Sequence, residues 1–213
     1  MSFYDIDKRE EFLLGLLPGE IEPDLQSVLE EADRLRVPVI SKTGAQFLKQ
    51  IITVAAPKKI IEIGTGVGYS GLLMLKNSNA ALYTIDFSEK NLAYARANFE
   101  KCGYSNRITI ISGDASDIVP MLTGGADFIF LDGPKGRYQE YYPYLKNLLC
   151  SGGILLCDNV LYSGRITGEA ETPHSKQTIT DRLNIFFEQL RSDSDMVTSV
   201  LPIGDGMSLS IKR

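Results

Sequence analysis

The sequence predicts an α/β fold built on a mostly parallel sheet with helices on both of its faces. Short segments rich in Ile, Val and Leu alternate along the chain with longer segments of helical spacing, as in successive strand–helix units. These strand segments are apolar throughout, which is expected where both faces of a strand are buried. The last two strand segments follow one another directly through a short turn at 204–206, so the chain ends in an antiparallel hairpin.

Seven segments are predicted to be strands. They are residues 58–64, 81–86, 107–112, 126–132, 152–160, 195–203 and 206–213. The spacing of apolar residues predicts helices between them over 69–76, 88–102, 137–149 and 176–191. Ahead of the first strand, the same spacing predicts three further helices, punctuated by prolines and glycine, over 5–17, 22–35 and 43–54.

Size and composition indicate one domain over 1–213, with an N-terminal helical cap over about 1–55. No apolar run approaches the roughly 20 residues that span a bilayer, and the acidic start lacks a secretory pattern. Three cysteines without a pairing pattern are typical of a reduced, cytoplasmic protein. A net charge of −5 argues against a general nucleic-acid coat, although it does not exclude a local basic face.

A glycine-rich loop follows the first predicted strand, within IIEIGTGVGYSGLLML at 60–75. Residues 66–71 match the dinucleotide pattern G-x-G-x-x-G, and Asp86 lies about 20 residues further on, as that pattern requires. The strand, however, is followed directly by Gly64, and counting from there puts Tyr69 near the place of the third glycine. The register of the glycines therefore argues against a dinucleotide.

Acidic residues at the ends of the predicted strands favour S-adenosylmethionine instead. Glu62 lies near the tip of the first strand, Asp86 ends the second, and Asp114 with Ala115 follows the third. Because these ends share one edge of a parallel sheet, we expect them to meet the cationic amino-acid group, the ribose and the adenine. Ser70, which opens the next helix, would donate to the cofactor's carboxylate. Each acid taken alone fits equally well as a helix cap or a solvated turn.

Two further strand ends carry oxygen ligands for a metal ion. The fourth strand ends in Asp132, with Lys135 three residues later, and the fifth is followed by Asp158 and Asn159. If these strands are neighbours, their ends lie about 5 Å apart. Two carboxylates and an amide form a hard, oxygen-only set that suits Mg²⁺ or Ca²⁺ and leaves positions for water and substrate. The alternative is structural: Asp-Asn begins a turn and Asp132 caps a helix.

These motifs resemble those of the small, metal-dependent class I O-methyltransferases, the group of catechol and caffeoyl-coenzyme A O-methyltransferases. The likeness runs nearly end to end, through VPVISKTGAQFL, EIGTGVGYS, TID, GDA, LDGPKGRYQEYY, CDNVLYSG and PIGDGMSLSIKR. Within this group, the DNVLYSG and PIGDGMSLSIKR segments look closest to bacterial tRNA 5-hydroxyuridine methyltransferases. The resemblance implies a Rossmann-like methyltransferase fold with a seven-stranded, mostly parallel sheet, a C-terminal antiparallel hairpin and extra N-terminal helices.

The resemblance also implies roles for individual residues. Ile40 and Ser41 would cover the cofactor, and its binding residues would be Ile40, Glu62, Gly64, Ser70, Asp86, Asp114, Ala115 and Asp132. Asp132, Asp158 and Asn159 would hold Mg²⁺. Lys135 would be the general base and would act beside Asp132, although Pro134 stands where relatives often have smaller residues and would alter its aim. A homodimer is implied by the family alone.

The function expected from these features is Mg²⁺-dependent transfer of a methyl group from S-adenosylmethionine to a metal-chelated hydroxyl. The acceptor stays open between 5-hydroxyuridine in tRNA and a small catechol-like molecule, since both place a second oxygen beside the hydroxyl. A third alternative is a protein that binds S-adenosylmethionine without catalysis, against which the intact set of Asp132, Lys135, Asp158 and Asn159 argues.

Each acceptor predicts different contact residues. A tRNA acceptor needs cationic contacts to phosphates, for which the candidates are Lys42, Arg137, Arg165, Lys176 and Arg182. A catechol-like acceptor needs an aromatic pocket, which Tyr138, Tyr141 and Tyr142 would line unless they serve as core or dimer contacts.

Overall fold

The computed structural model describes residues 12, 15, 16 and 21–213, and it confirms the predicted α/β fold with a seven-stranded sheet. The strands are β1 (Lys59–Ile63), β2 (Ala81–Asp86), β3 (Ile108–Ser112), β4 (Ala126–Leu131), β5 (Leu149–Cys157), β6 (Met196–Leu201) and β7 (Met207–Lys212). The helices are α1 (Pro23–Leu35), α2 (Lys42–Ala55), α3 (Tyr69–Lys76), α4 (Glu89–Lys101), α5 (Ala115–Ile118), α6 (Tyr138–Leu148) and α7 (His174–Ser192). The helix predicted over 5–17 lies outside the described residues, apart from three single positions.

The strand order is β3-β2-β1-β4-β5-β7-β6, with β1 to β5 parallel and the β6–β7 hairpin antiparallel at one edge. The chain runs outward from β1 to β3 and then returns to place β4 on the other side of β1. In sheets of this kind, ligands bind beyond the carboxyl ends of the strands at this point of reversal. The metal-site hypothesis required the fourth and fifth strands to be neighbours, and they are, because Leu131 at the end of β4 is paired with Cys157 at the end of β5.

Helices cover both faces of the sheet, as the apolar strands require. Alternate residues of β1 face opposite sides, so that Ile60 packs with α1 to α4 while Ile61 packs with α6 and α7. Two separate groups of buried side chains result, one on each face. Within the described part of the chain, no helix combines the length and the apolar character that a membrane crossing needs.

Local sequence signals set several helix ends. Pro23 opens α1, where its missing N–H is not needed, and the Ser41 hydroxyl caps α2 by accepting the Gly44 N–H at 3.1 Å. Ser88 caps α4 in the same way through Asn91.

Both ends of β5 differ from the prediction by three residues. β5 begins at Leu149 and not at 152, because Leu149 pairs with Ala126 across a register shift. The two glycines that the prediction placed at the start of the strand therefore lie inside it, where glycine allows an irregular strand. β5 also ends at Cys157, and the predicted residues 158–160 leave the sheet.

Candidate active site

A cavity of about 330 Å³ opens at the carboxyl ends of the parallel strands. Five residues predicted to bind the cofactor line it, namely Gly64, Asp86, Asp114, Ala115 and Asp132. Two aromatic side chains, Phe87 and Tyr141, line it as well. The other three predicted cofactor residues, Ile40, Glu62 and Ser70, do not belong to its lining.

Gly64 directly follows β1 and lies beside the end of the neighbouring strand β4. It adopts φ +103°, and a β-carbon there would collide with the carbonyl group of Asp132. The strands cannot separate easily, because the Asp132 N–H donates to the Ile63 carbonyl at 2.8 Å. The chain's own backbone, as well as any ligand, therefore requires glycine at this position.

Asp86 holds the glycine loop in place. One of its carboxylate oxygens accepts the Gly66 N–H and the other accepts the Ser88 N–H, both at 2.9 Å. The carboxylate is half-buried at the edge of the cavity, where it can still accept from a ligand hydroxyl because each oxygen has a second lone pair.

Glu62 points away from the cavity into the packed layer under α3. Its side chain is fully buried, and its two oxygens accept hydrogen bonds from Ser70 and Thr84, each at 2.6 Å. Thr84 in turn lies 2.6 Å from the Thr65 hydroxyl. Burial raises the pKa of Glu62 to about 7. The Ser70 hydroxyl has a single proton, and in this structure it donates that proton in the hydrogen bond to Glu62.

The remaining predicted cofactor residues lie at the periphery. Asp114 is exposed and caps the short helix α5 by accepting the Ser116 N–H at 2.7 Å, which lowers the pKa of its carboxyl. Ala115 is the first residue of that helix. Ile40 is buried next to the start of α2, where its side chain lies against Gly44.

The predicted metal ligands lie together at the ends of β4 and β5. Asp132 and Asp158 directly follow a pair of residues matched across the two strands, and the Asp158 N–H donates to the Leu131 carbonyl at 3.0 Å. Asn159 comes next and adopts φ 54°, in the left-handed region that asparagine enters more readily than most residues other than glycine. Lys135 donates to the Asp132 carboxylate at 2.6 Å.

Asp158 and Asp132 also act on each other electrostatically. Asp158 is almost fully buried, and both its burial and the repulsion of the half-buried Asp132 raise its pKa, while Lys135 opposes that shift. A buried carboxylate with a second carboxylate beside it gains from a nearby cation. Among residues 21–213 no group of three or more His, Cys, Asp and Glu side chains is arranged for a metal. The predicted ligand set contains two such side chains, and its third member is the Asn159 amide.

Tyr138 contacts the ends of both β4 and β5. Its ring is fully buried, and its hydroxyl lies 3.0 Å from the carbonyl oxygens of both Leu131 and Asp158. The hydroxyl therefore ties the end of β4 to the residue after β5.

A second cavity, of about 510 Å³, lies on the other side of the metal-ligand cluster. Its lining includes Lys135, Asn159, Tyr162, Asp205 and two arginines, Arg137 and Arg182. Gly133 and Pro134 line both cavities, so the two spaces meet beside Asp132. A donor in the first cavity and an acceptor in the second would thus meet at the predicted metal ligands.

Of the three tyrosines considered for an acceptor pocket, none lines this second cavity. Tyr138 and Tyr142 are core residues, in line with the alternative interpretation, and Tyr141 faces the first cavity. Of the five basic candidates, Arg137 and Arg182 line the second cavity. Lys42 and Lys176 are exposed elsewhere, and Arg165 lies over the ring of Tyr162.

Sequence analysis did not identify several of the residues that line the two cavities. Phe87 is 73% exposed although it is large and apolar, and its position directly after Asp86 was an available signal. Asp205 belongs to the 204–206 turn, which had been interpreted only as a hairpin connection. Tyr162 lies in a loop, and no local sequence pattern indicated that its side chain would line a cavity.

Comparison with known proteins identifies the class of protein. The O-methyltransferase family profile matches residues 24–213, so the chain belongs to that family. The chain is 31% identical over 144 residues to the catechol O-methyltransferase of Niastella koreensis, a match that covers 65% of each chain, just under two thirds. It is 27% identical to caffeoyl-CoA O-methyltransferase 1 of Zea mays, with 98% of this chain and 86% of that one covered.

A solved structure supports the cofactor. The SAH-bound Podospora anserina methyltransferase PaMTH1 superposes with a TM-score of 0.86 at 27% identity, covering 97% of this chain and 94% of that one. The protein is thus an S-adenosylmethionine-dependent O-methyltransferase, and the alternative of a non-catalytic binding protein is set aside.

Proposed function

We propose that the protein transfers the methyl group to a hydroxyl held by Mg²⁺ at Asp132, Asp158 and Asn159. The observation that supports this most directly is the placement of both aspartates at the matched ends of β4 and β5, between the two cavities. Carboxylate and amide oxygens are the ligands that Mg²⁺ prefers, and the buried Asp158, which the half-buried Asp132 repels, gains from a cation between the two. When bound, the ion would lower the pKa of the acceptor hydroxyl.

The protein's own residues position the two reactants. The first cavity would hold the cofactor against Gly64, Asp86 and Asp132, while the second would hold the acceptor against Lys135 and Asn159. Bringing two reactants to attack distance is a large part of the rate enhancement in such transfers.

Lys135 is the proposed base for the acceptor proton. Its side-chain nitrogen lies 2.6 Å from the Asp132 carboxylate and on the wall of the second cavity, beside the position proposed for the acceptor hydroxyl.

The proposed acceptor is 5-hydroxyuridine in tRNA. Its 5-hydroxyl stands beside the 4-carbonyl and can chelate a metal ion. Arg137 and Arg182 on the wall of the second cavity would contact neighbouring phosphates, although each also lies near Glu140, at 2.6 and 3.7 Å. A small catechol-like acceptor is the second candidate, supported by the relatives that are named catechol O-methyltransferases. The predicted homodimer stays a prediction.

The metal is tested with Asp158→Ala and with chelation. Methyl transfer from labelled S-adenosylmethionine should be abolished by EDTA, restored by Mg²⁺ and lost in the variant. Turnover by the variant at the wild-type rate would remove the metal from the mechanism. The acceptor is tested by offering the same labelled cofactor with total tRNA from a strain that lacks the gene, and separately with a catechol. Label in the catechol alone would overturn the tRNA proposal.

A further inference from the structure

The turn at 204–206 is wedged between two segments of the site. A β-carbon on Gly204 would lie 2.5 Å from the Ser41 hydroxyl, and one on Gly206 would overlap the side chain of Leu161. On one side, therefore, the turn touches the segment proposed to cover the cofactor. On the other it touches the loop that follows Asp158.

That loop, residues 159–163, has an unfavourable backbone. Asn159, Tyr162 and Ser163 have φ of 54°, 53° and 53°, in the left-handed region that favours glycine. Residues other than glycine persist in this region only where the surrounding structure holds them. Asn159 is a proposed metal ligand and Tyr162 lines the second cavity, so the shape of this loop determines the shape of the site.

The 204–206 turn supplies that support. The Leu161 N–H donates to the Asp205 carbonyl and the Val160 N–H to the Gly206 carbonyl, each at 3.0 Å. The Asp205 side chain adds a contact of its own, because both of its oxygens accept the Ser163 N–H, at 2.7 and 2.8 Å. Hydrogen bonds of an N–H to a carboxylate are stronger than those to a neutral acceptor.

We propose that Asp205 is a positioning residue, which fixes the left-handed loop 159–163 through Ser163 and so keeps Asn159 and Tyr162 in place for metal and acceptor. This inference rests on the proposed metal function. It assigns the Asp205 carboxylate no direct bond to the ion, since its contacts in the described structure are to the loop backbone.

The test compares Asp205→Ala, Asp205→Asn and a matched control, Asp127→Ala. Asp127 also accepts backbone N–H groups through its carboxylate, from Lys58 and Lys59 at 2.8 and 2.9 Å. It lies near the amino end of β4, whereas the site is at the carboxyl ends of the strands. Mn²⁺ binding is followed by electron paramagnetic resonance, SAH binding by calorimetry, and the loop by hydrogen exchange of the peptide that contains Ser163.

Removing a group that hydrogen-bonds a metal ligand weakens metal affinity by about 10- to 100-fold. Because Asp205 acts on Asn159 through Ser163 and the loop, we expect Asp205→Ala to lose the lower end of that range, about tenfold in Mn²⁺ affinity, and to exchange faster at Ser163, with unchanged SAH binding. Asp205→Asn should keep most of the affinity, since its amide oxygen can still accept the Ser163 N–H. Asp127→Ala should bind Mn²⁺ as the wild type does.

Two results would overturn the inference. One is wild-type Mn²⁺ affinity and wild-type exchange in Asp205→Ala. The other is equal loss in Asp205→Asn and Asp205→Ala, which would mean that the charge itself acts at the site. Failure of the proposed metal function would give a different result. Asp158→Ala would then bind as much Mn²⁺ as the wild type, or neither protein would bind any.

Discussion

Gly64→Ala tests whether the protein's own backbone, and not only a ligand, demands glycine after β1. The substitution adds a single methyl group at a residue with φ +103°. That methyl would lie 2.9 Å from the carbonyl carbon of Asp132 and nearer still to its oxygen. Backbone carbonyls cannot rotate away as a flexible side chain can, and Asp132 is held to Ile63 by a hydrogen bond of 2.8 Å.

The magnitude follows from two separate costs. An alanine in this backbone region costs about 1–3 kcal/mol, and overpacking a closed space costs about 1–3 kcal/mol more. The alanine also reduces the entropy of the unfolded chain, which returns about 0.4–1 kcal/mol. The net loss in the free energy of unfolding is therefore about 3 kcal/mol, or a fall in Tm of roughly 10 °C for a chain of this size.

The matched control is Gly103→Ala. Gly103 also has a positive φ, of +78°, but a β-carbon there meets no atom within 4 Å. It should lose only about 1 kcal/mol, from the backbone alone. Urea denaturation of both variants gives the comparison, and SAH titration should show weaker binding in Gly64→Ala because Gly64 and Asp132 line the first cavity, where we propose that the cofactor binds. Equal destabilisation of the two variants would refute the reasoning.

Three further outcomes are expected. Because burial raises the pKa of Glu62 from its usual 4.5 to about 7, the wild type should lose about 3 kcal/mol of stability as the pH rises across that window. In urea titrations at pH 5 and pH 8, Glu62→Gln should lose less stability than the wild type by about this amount, because the loss from the raised pKa of Asp158 is common to both proteins. Equal losses in the two proteins would contradict it. Tyr138→Phe removes a buried hydroxyl that bridges Leu131 and Asp158, so it should lower the free energy of unfolding by about 1 kcal/mol, and an unchanged denaturation midpoint would argue against the bridge. Phe87→Ala should leave stability unchanged, since the ring is 73% exposed, yet weaken SAH binding by about tenfold through lost stacking on the purine, and unaltered calorimetry would place the purine elsewhere.

The parts of the site that lie at strand ends could be predicted because topology leaves them little freedom. Once β4 and β5 are parallel neighbours, the residues that follow them must meet at one edge, and Asp132 and Asp158 do. The same logic placed Asp86 at this edge, where it lines the first cavity. Strand composition was sufficient to predict the strands, since runs such as ADFIFL permit few other structures. The adjacency of β4 and β5 entered the prediction as a condition, which the structure meets.

Side-chain direction was harder to predict where both faces of an element are buried. Tyr138, Tyr141 and Tyr142 follow helical spacing that fits a core face as well as a pocket, and the surrounding sequence contains no signal that separates the two. Asp205 was missed for another reason. Its side chain contacts Ser163, which is 42 residues earlier in the chain, and no local sequence pattern predicts a contact over that separation.

Glu62 and Ser70, both predicted to bind the cofactor, contact each other in the structure. When Glu62 is ionised its carboxylate only accepts, so Thr84 then donates to Glu62, and Thr65 must donate to Thr84 because each hydroxyl carries one proton. Ser70 likewise gives its proton to Glu62. The hypothesis that Ser70 donates to the cofactor's carboxylate therefore requires Glu62 to lose one of its two donors. A buried carboxylate that loses a donor is stabilised again only by a positive charge nearby or by taking up a proton. The cationic amino group of the cofactor carries such a charge, so the exchange of Ser70 from Glu62 to the cofactor and the approach of that cation are expected to occur together.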